Sequence, residues 1–407
     1  MIKIKRAVLI ALGDELLSGI RKEGNCSWLA NKLSRAGWKV ECIEIIPDGN
    51  NSLTLFLEKW IGKTGLLVLS GGLGPTHDDC TRRAIAQFLG TELVPADEAY
   101  DKILSRYPEE MQKALEKSRD TQGVIPARTR PVHNPAGSAL GVAFEEGGTS
   151  VRAFPGVPSE FRAMAEQELE QEMRPNSGIA SSILIAGWAE SLLKDRLAPV
   201  IERPELHITI LPSPGLIEFY IRGAPEDVAR AERDVKDLVP GDYLPSAAKS
   251  LADAVISGAK QKNISLACAE SCTGGMVGGA LTSIPGSSEV FFGSAVCYSN
   301  TAKKSILSVN EITLDQEGAV SSLCAAEMAL GALKIYGSDL AVSVTGIAGP
   351  DGGTDEKPVG TVWFGLADKG GVETVKRVFP GDRDIVRERA KNFALDRLWR
   401  KITEKDR

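Results

Sequence analysis

Ile264-Ser265-Leu266-Ala267-Cys268-Ala269 runs directly into Glu270-Ser271-Cys272-Thr273-Gly274-Gly275 and on into residues 276–283. Six apolar or small residues closed by a double-glycine turn read as a buried strand handed over to a helix, the unit from which an α/β fold is built. Ser271 then stands at the strand-to-helix turn, where unpaired N–H groups and the positive end of the helix dipole favour developing negative charge. Cys297-Tyr298-Ser299-Asn300-Thr301-Ala302-Lys303 follows, with a phenol and an ammonium five residues apart. A deprotonated lysine or tyrosine beside a serine can act as its base.

Outward from this segment, strand and helix patterns alternate, which predicts parallel sheets covered by helices. Residues 7–11, 40–46 and 66–70 read as strands and 25–36 as an amphipathic helix. Glycine and proline around Arg174-Pro175-Asn176-Ser177-Gly178 mark a boundary, after which residues 182–238 read as strand, helix, strand, strand, helix. A helix over 250–262 then leads into the serine strand. The expected architecture is α/β: two three-layer α/β/α domains, 1–172 and 246–407, joined by a small α+β connector, 173–245.

Composition narrows the function. The 407 residues carry 48 Lys plus Arg against 54 Asp plus Glu, a net charge of −6 with no long basic run. Nucleic acid and anionic membrane are therefore poor partners. Seven scattered cysteines without a C-x-x-C suit reduced thiols. No apolar stretch approaches the roughly 20 residues of a membrane span, and the first apolar run ends in Gly-Asp-Glu rather than a cleavage site. A cytoplasmic protein is expected. Only three histidines occur, none of them in the last domain, which argues against a Ser-His-Asp triad and against a zinc hydrolase.

The first domain has a Gly-rich signal of its own. The strand 66–70 is followed by Gly71-Gly72-Leu73-Gly74-Pro75-Thr76-His77-Asp78-Asp79 and then a helix over 80–90. Glycines after a strand let backbone N–H groups approach an anion, and a helix N-terminus favours phosphate. Asp78 and Asp79 would hold a divalent cation, Mg or similar, bridging diphosphate oxygens. Gly13-Asp14-Glu15-Leu16-Leu17-Ser18-Gly19, Asn134-Pro135-Ala136-Gly137 and Pro155-Gly156-Val157-Pro158-Ser159-Glu160 would also lie at strand ends, where open α/β sheets bind ligands. In the last domain, Val342-Ser343-Val344-Thr345 leads into a second such loop, Gly346-Ile347-Ala348-Gly349-Pro350-Asp351-Gly352-Gly353. That loop would cradle phosphate or ribose, with Arg383 adding a charge-assisted contact. Neither loop fits a P-loop.

The strings GDELLSG, GGLGPTHDD, NPAG and PGVPSE resemble the N-terminal, molybdopterin-binding-type domain of the CinA competence/damage-inducible family. ESCTGG, CYSNTAKK, TGIAGPDGG and KPVGTVWF resemble the family's C-terminal, PncC-type nicotinamide-nucleotide amidase domain. The resemblance implies hydrolysis of the carboxamide of nicotinamide mononucleotide to nicotinic acid mononucleotide and ammonia, without a cofactor. For the first domain it implies a metal-dependent ADP-ribose pyrophosphatase. The family's catalytic serine, tyrosine and lysine fall on Ser271, Tyr298 and Lys303.

Lys303 or Tyr298 would take the serine proton, and the N–H groups of Thr273, Gly274 and Gly275 would stabilise the oxyanion. Cys272 is a rival nucleophile, since a thiol at a helix N-terminus is acidified. In the first domain Asn25 matches the family pattern, whereas Arg21-Lys22-Glu23-Gly24 and Pro47-Asp48-Gly49-Asn50 depart from it. A nucleotide- or pterin-binding sensor without turnover is the alternative. A homodimer is expected for either.

Overall fold

The computed structural model describes residues 5–76, 79–174 and 180–404. The chain divides into two compact units, Met1–Ala180 and Ser181–Arg407.

In the first unit a six-stranded sheet runs in the order Lys39–Ile46, Arg6–Leu12, Leu66–Ser70, Thr149–Phe154, Gly141–Glu146, Arg130–Val132. The first four strands are mutually parallel. All five residues of Leu66–Ser70 are buried, as a parallel strand covered on both faces must be. Alternation along Arg6–Leu12 sends Val8, Ile10 and Leu12 to one core and Ala7, Leu9 and Ala11 to the other, so helices pack on both faces.

The second unit holds two sheets. The strands His207–Ser213, Leu216–Arg222 and Ala180–Ala186 form one, in that order. Glu190–Ile201 and Pro225–Leu238 share its core through Leu193, Leu197, Val228 and Val235. The other sheet runs Phe291–Val296, Leu266–Glu270, Leu340–Gly346, Thr361–Asp368, Gly371–Val378. Leu266 and Cys268 face a core shared with Leu251–Lys262 and the long helix Arg383–Glu404, while Ala267 and Ala269 face the core under Ser322–Tyr336.

The fold class is α/β, but both large sheets are mixed rather than parallel. Gly141–Glu146 pairs antiparallel with Thr149–Phe154, and Thr361–Asp368 with both its neighbours. Two of these three pairings follow from their connections. Gly147 and Gly148, at φ +56° and +79°, and Lys369-Gly370 are two-residue hairpin links, too short for the crossover a parallel neighbour needs. Among the described residues no helix is long and apolar enough to cross a membrane, and all seven cysteines are free.

Candidate active site

The serine strand is flanked on both sides by parallel neighbours, so three strand ends open at one place. The Ser271 N–H donates to Val344 O (2.9 Å) and the Cys297 N–H to Glu270 O (2.7 Å), carrying the pairing one residue past the strand. Helix Asn300–Leu307, capped by Ser299 Oγ accepting from the Ala302 N–H at 3.1 Å, brings Lys303 inward. Lys303 Nζ lies 2.9 Å from Ser271 Oγ, 3.0 Å from Cys297 O and 3.3 Å from Tyr298 O. The lysine is 1% exposed. In a neutral amine two N–H groups serve the two carbonyls and the lone pair is left for the serine hydroxyl. Burial pushes the Lys303 pKa below its usual value, partly offset by the Cys324, Cys297 and Cys272 thiols.

The phenol of Tyr298 stands elsewhere. It is 61% exposed and accepts a hydrogen bond from Arg383 Nη2 at 2.9 Å. Of the two candidate bases, Lys303 is the one hydrogen-bonded to Ser271, and Tyr298 contributes to it a main-chain carbonyl. Burial pushes the Cys272 thiol up to about 12, the opposite of the acidification expected at a helix N-terminus.

The N–H groups of that helix do not wait for substrate. Glu270, 0% exposed, accepts from the Gly275 and Val277 N–H groups with Oε2 (3.0 Å each), and with Oε1 from the Gly278 N–H and Ser294 Oγ (2.8 Å each). Gly274 N–H closes the turn onto Ser271 O at 3.0 Å. The expectation that Gly274 and Gly275 donate to an oxyanion is corrected: a buried carboxylate and the turn itself use those donors. Their φ values of +59° and +96° show what the glycines supply, a left-handed turn closed to side chains. Thr273 is fully buried, and its hydroxyl has no hydrogen-bond partner among the described residues. Arg387 clamps the same turn, donating to Cys272 O (3.1 Å) and Thr273 O (3.3 Å).

Of the second loop, Thr345 is buried and its hydroxyl donates to Ala319 O at 2.7 Å, an internal bond rather than a free donor. A Cβ on Gly346 would meet Thr361 O at 2.7 Å. Gly349 O accepts from Arg383 Nη1 at 2.7 Å, so Arg383 ties this loop to Tyr298 beside the exposed Pro350.

In the first unit a cleft of about 460 Å³ collects Glu15, Gly71, Gly72, Gly74, Thr76, Asp79, Pro155 and Gly156. Asn25 opens instead on an adjoining hollow with Glu15 and Gly156. Its amide donates to Ser70 Oγ (3.0 Å) and Gly156 O (2.8 Å), and its buried Oδ1 has no partner among the described residues. Asp14 is exposed and lines neither. Asp78 lies outside the described residues. Asp79 Oδ2 accepts from the Thr76 N–H (2.9 Å) and hydroxyl (2.6 Å), closing the loop. Among the described residues no three His, Cys, Asp or Glu side chains gather as a metal site. Arg82, unmarked by any motif, holds this loop from beneath: buried, it donates to Leu73 O at 3.0 Å and Leu140 O at 2.7 Å.

Fold and site together define a two-unit α/β protein with a buried Ser–Lys pair at a strand end. The "Probable molybdopterin binding domain" pattern matches residues 8–175 and the "CinA C-terminal domain" pattern residues 248–402. CinA-like proteins of Syntrophomonas wolfei and Citrifermentans bemidjiense are each 35% identical, over 98% and 97% of this chain and 99% and 97% of theirs. The crystal structure of the competence/damage inducible protein CihA from Agrobacterium tumefaciens is 42% identical, with a TM-score of 0.36, covering 36% of this chain and 91% of its own. The chain belongs to the CinA family.

Proposed function

We propose that the second unit is a serine amidohydrolase acting on the carboxamide of nicotinamide mononucleotide. The observation that carries this reading is the 2.9 Å contact between Lys303 Nζ and Ser271 Oγ, with the amine buried. A serine facing a desolvated lysine is an activated nucleophile, and a protein that only binds has no use for it.

The neutral Lys303 amine takes the Ser271 proton as Oγ bonds to the carboxamide carbon. The tetrahedral intermediate collapses when the Lys303 ammonium returns a proton to the departing nitrogen, releasing ammonia and leaving the acyl ester on Ser271. Water, deprotonated by the again neutral Lys303, attacks that ester. The serine regains its proton and nicotinic acid mononucleotide leaves. Cys297 O and Tyr298 O keep the amine lone pair aimed at the serine through both halves. Arg383 stands where the exposed Tyr298 rim meets the Gly349 loop, a placement suited to the phosphate end of the nucleotide.

For the first unit we propose binding of a nucleoside diphosphate such as ADP-ribose in the Gly71–Gly74 cleft, followed by hydrolysis of its diphosphate. In the hollow that adjoins this cleft, the buried Asn25 Oδ1, without a partner among the described residues, favours a ligand group with an N–H or O–H donor.

Ammonia release from nicotinamide mononucleotide, measured with chelator present, tests the main reading. Wild type is expected to turn over and Ser271→Ala to lose at least about 1,000-fold. If neither releases ammonia while the nucleotide still binds, the site is a sensor and the proposal fails.

A further inference from the structure

A second cleft, of about 440 Å³, lies in the same unit between the three-stranded sheet and the last helix. One wall is Trp188 with the hairpin tip at Ser213 and Gly215, held to the helix by the Asn392 amide donating to Pro214 O at 2.6 Å. The other is Arg377, Phe379, Arg389 and Phe393, and the carboxylates Glu190 and Asp396 also line the cleft. This volume suits a ligand of nucleotide size.

The charges along it are unevenly answered. Arg400 is paired with Asp242 (2.7 Å) and Asp396 (3.0 Å), and Arg397 with Glu373 (2.5 Å). Arg377 and Arg389 have no carboxylate partner among the described residues. The Arg377 guanidinium lies over Phe393, 4.9 Å from the ring centroid, and donates to Lys376 O at 3.1 Å. Two guanidiniums without a carboxylate partner, in a cleft that also holds aromatic side chains, suit a ligand with an anionic end and a planar end. Arginine forks match phosphate oxygens, and indole and phenyl rings accept a base. Free phosphate would leave Trp188, Ile217 and Phe379 facing water.

We propose that this cleft binds a nucleoside monophosphate, its phosphate between Arg377 and Arg389 and its base against Trp188 and Phe379. The site is separate from the Ser271–Lys303 pair and does not depend on the amidase reading.

Photolabelling of the full chain with azido-AMP, followed by peptide mapping, tests it with AMP as the competing probe. Label is expected on peptides carrying Trp188 or Phe379, displaced by AMP and at least about tenfold less well by adenosine, which lacks the charge-assisted contacts. The comparison of AMP with adenosine uses wild type alone, so it stands whether or not a variant folds. Arg389→Gln, and Arg377→Gln combined with it, are expected to weaken labelling at least about tenfold. Label confined to peptides from residues 5–174, equal displacement by adenosine, unchanged labelling in folded double variant, or displacement by inorganic phosphate as readily as by AMP would each overturn the proposal.

Discussion

Glu270 Oε1 accepts the Gly278 N–H at 2.8 Å, so the negative charge that settles the helix after Ser271 belongs to the protein and not to the substrate. The carboxylate is fully buried and takes four donors. Removing it strands three backbone N–H groups and the Ser294 hydroxyl. Glu270→Ala is expected to destabilise the second unit by about 3 kcal/mol or more in urea denaturation. Glu270→Gln should recover only part, because its NH2 group turns a donor toward donors. Equal stability of all three proteins would remove the carboxylate from this role.

On the proposed mechanism Lys303 sets the acid limb of the rate. Burial lowers its pKa, and only the neutral amine accepts the serine proton. The rate is therefore expected to rise with pH and level off below the range of an ordinary lysine, near 10.4. Lys303→Arg, charged at every working pH, should be inactive throughout. Stability follows the same shift. Between the lowered folded pKa and the ordinary unfolded one the unfolded chain binds more protons, so stability rises with pH in that window. Lys303→Met should abolish this slope, which urea melts across that range would detect.

Cys272, beside the serine, invites the opposite assignment. With its thiol pushed up to about 12 by burial, almost no thiolate exists near neutrality. Cys272→Ser is expected to keep ammonia release within about tenfold, against the loss of at least about 1,000-fold for Ser271→Ala. The reverse ranking would make the thiol the nucleophile.

Several strands of the parallel halves of both sheets were legible as apolar runs, and Leu66–Ser70 has the bounds its sequence predicts, whereas Phe291–Val296 is a strand that the sequence reading does not predict. Edge strands such as Gly371–Val378 are mostly exposed, so no buried run announces them, although Gly147-Gly148 marks its hairpin in plain sequence. At the site, Ser271 and Lys303 could be chosen from residue chemistry, but their contact crosses 32 positions and depends on how Asn300–Leu307 is capped. Glu270 carried a signal that was available, a charge ending a buried strand, which requires partners. Arg387 and Arg82 carried none. Each is an arginine on an amphipathic helix until tertiary structure delivers the carbonyls it holds.

Tyr298 and Arg383 form the rim contact, Oη to Nη2 at 2.9 Å. If the phenol positions Arg383 and carries no proton, Tyr298→Phe should raise KM for nicotinamide mononucleotide while kcat stays within about tenfold. A kcat loss as large as that of Lys303→Ala would return the tyrosine to proton transfer.

Arg82 makes the corresponding claim for the first unit. Its guanidinium is 4% exposed, with its pKa lowered by burial to about 10, and spans Leu73 O, Gln122 O and Leu140 O. Leu73 belongs to the Gly-rich loop, so the arginine fixes that loop's height above the sheet. Arg82→Met keeps the bulk but leaves carbonyls unanswered, a cost of about 2–4 kcal/mol when hydrogen bonds to a charged group are lost in the interior. Lysine cannot reach three carbonyls with one point charge, so Arg82→Lys should rescue little. Both variants are expected to weaken ADP-ribose binding by calorimetry while leaving ammonia release by the second unit unchanged. Undiminished binding in a folded Arg82→Met protein would mean that the loop holds its shape without the arginine.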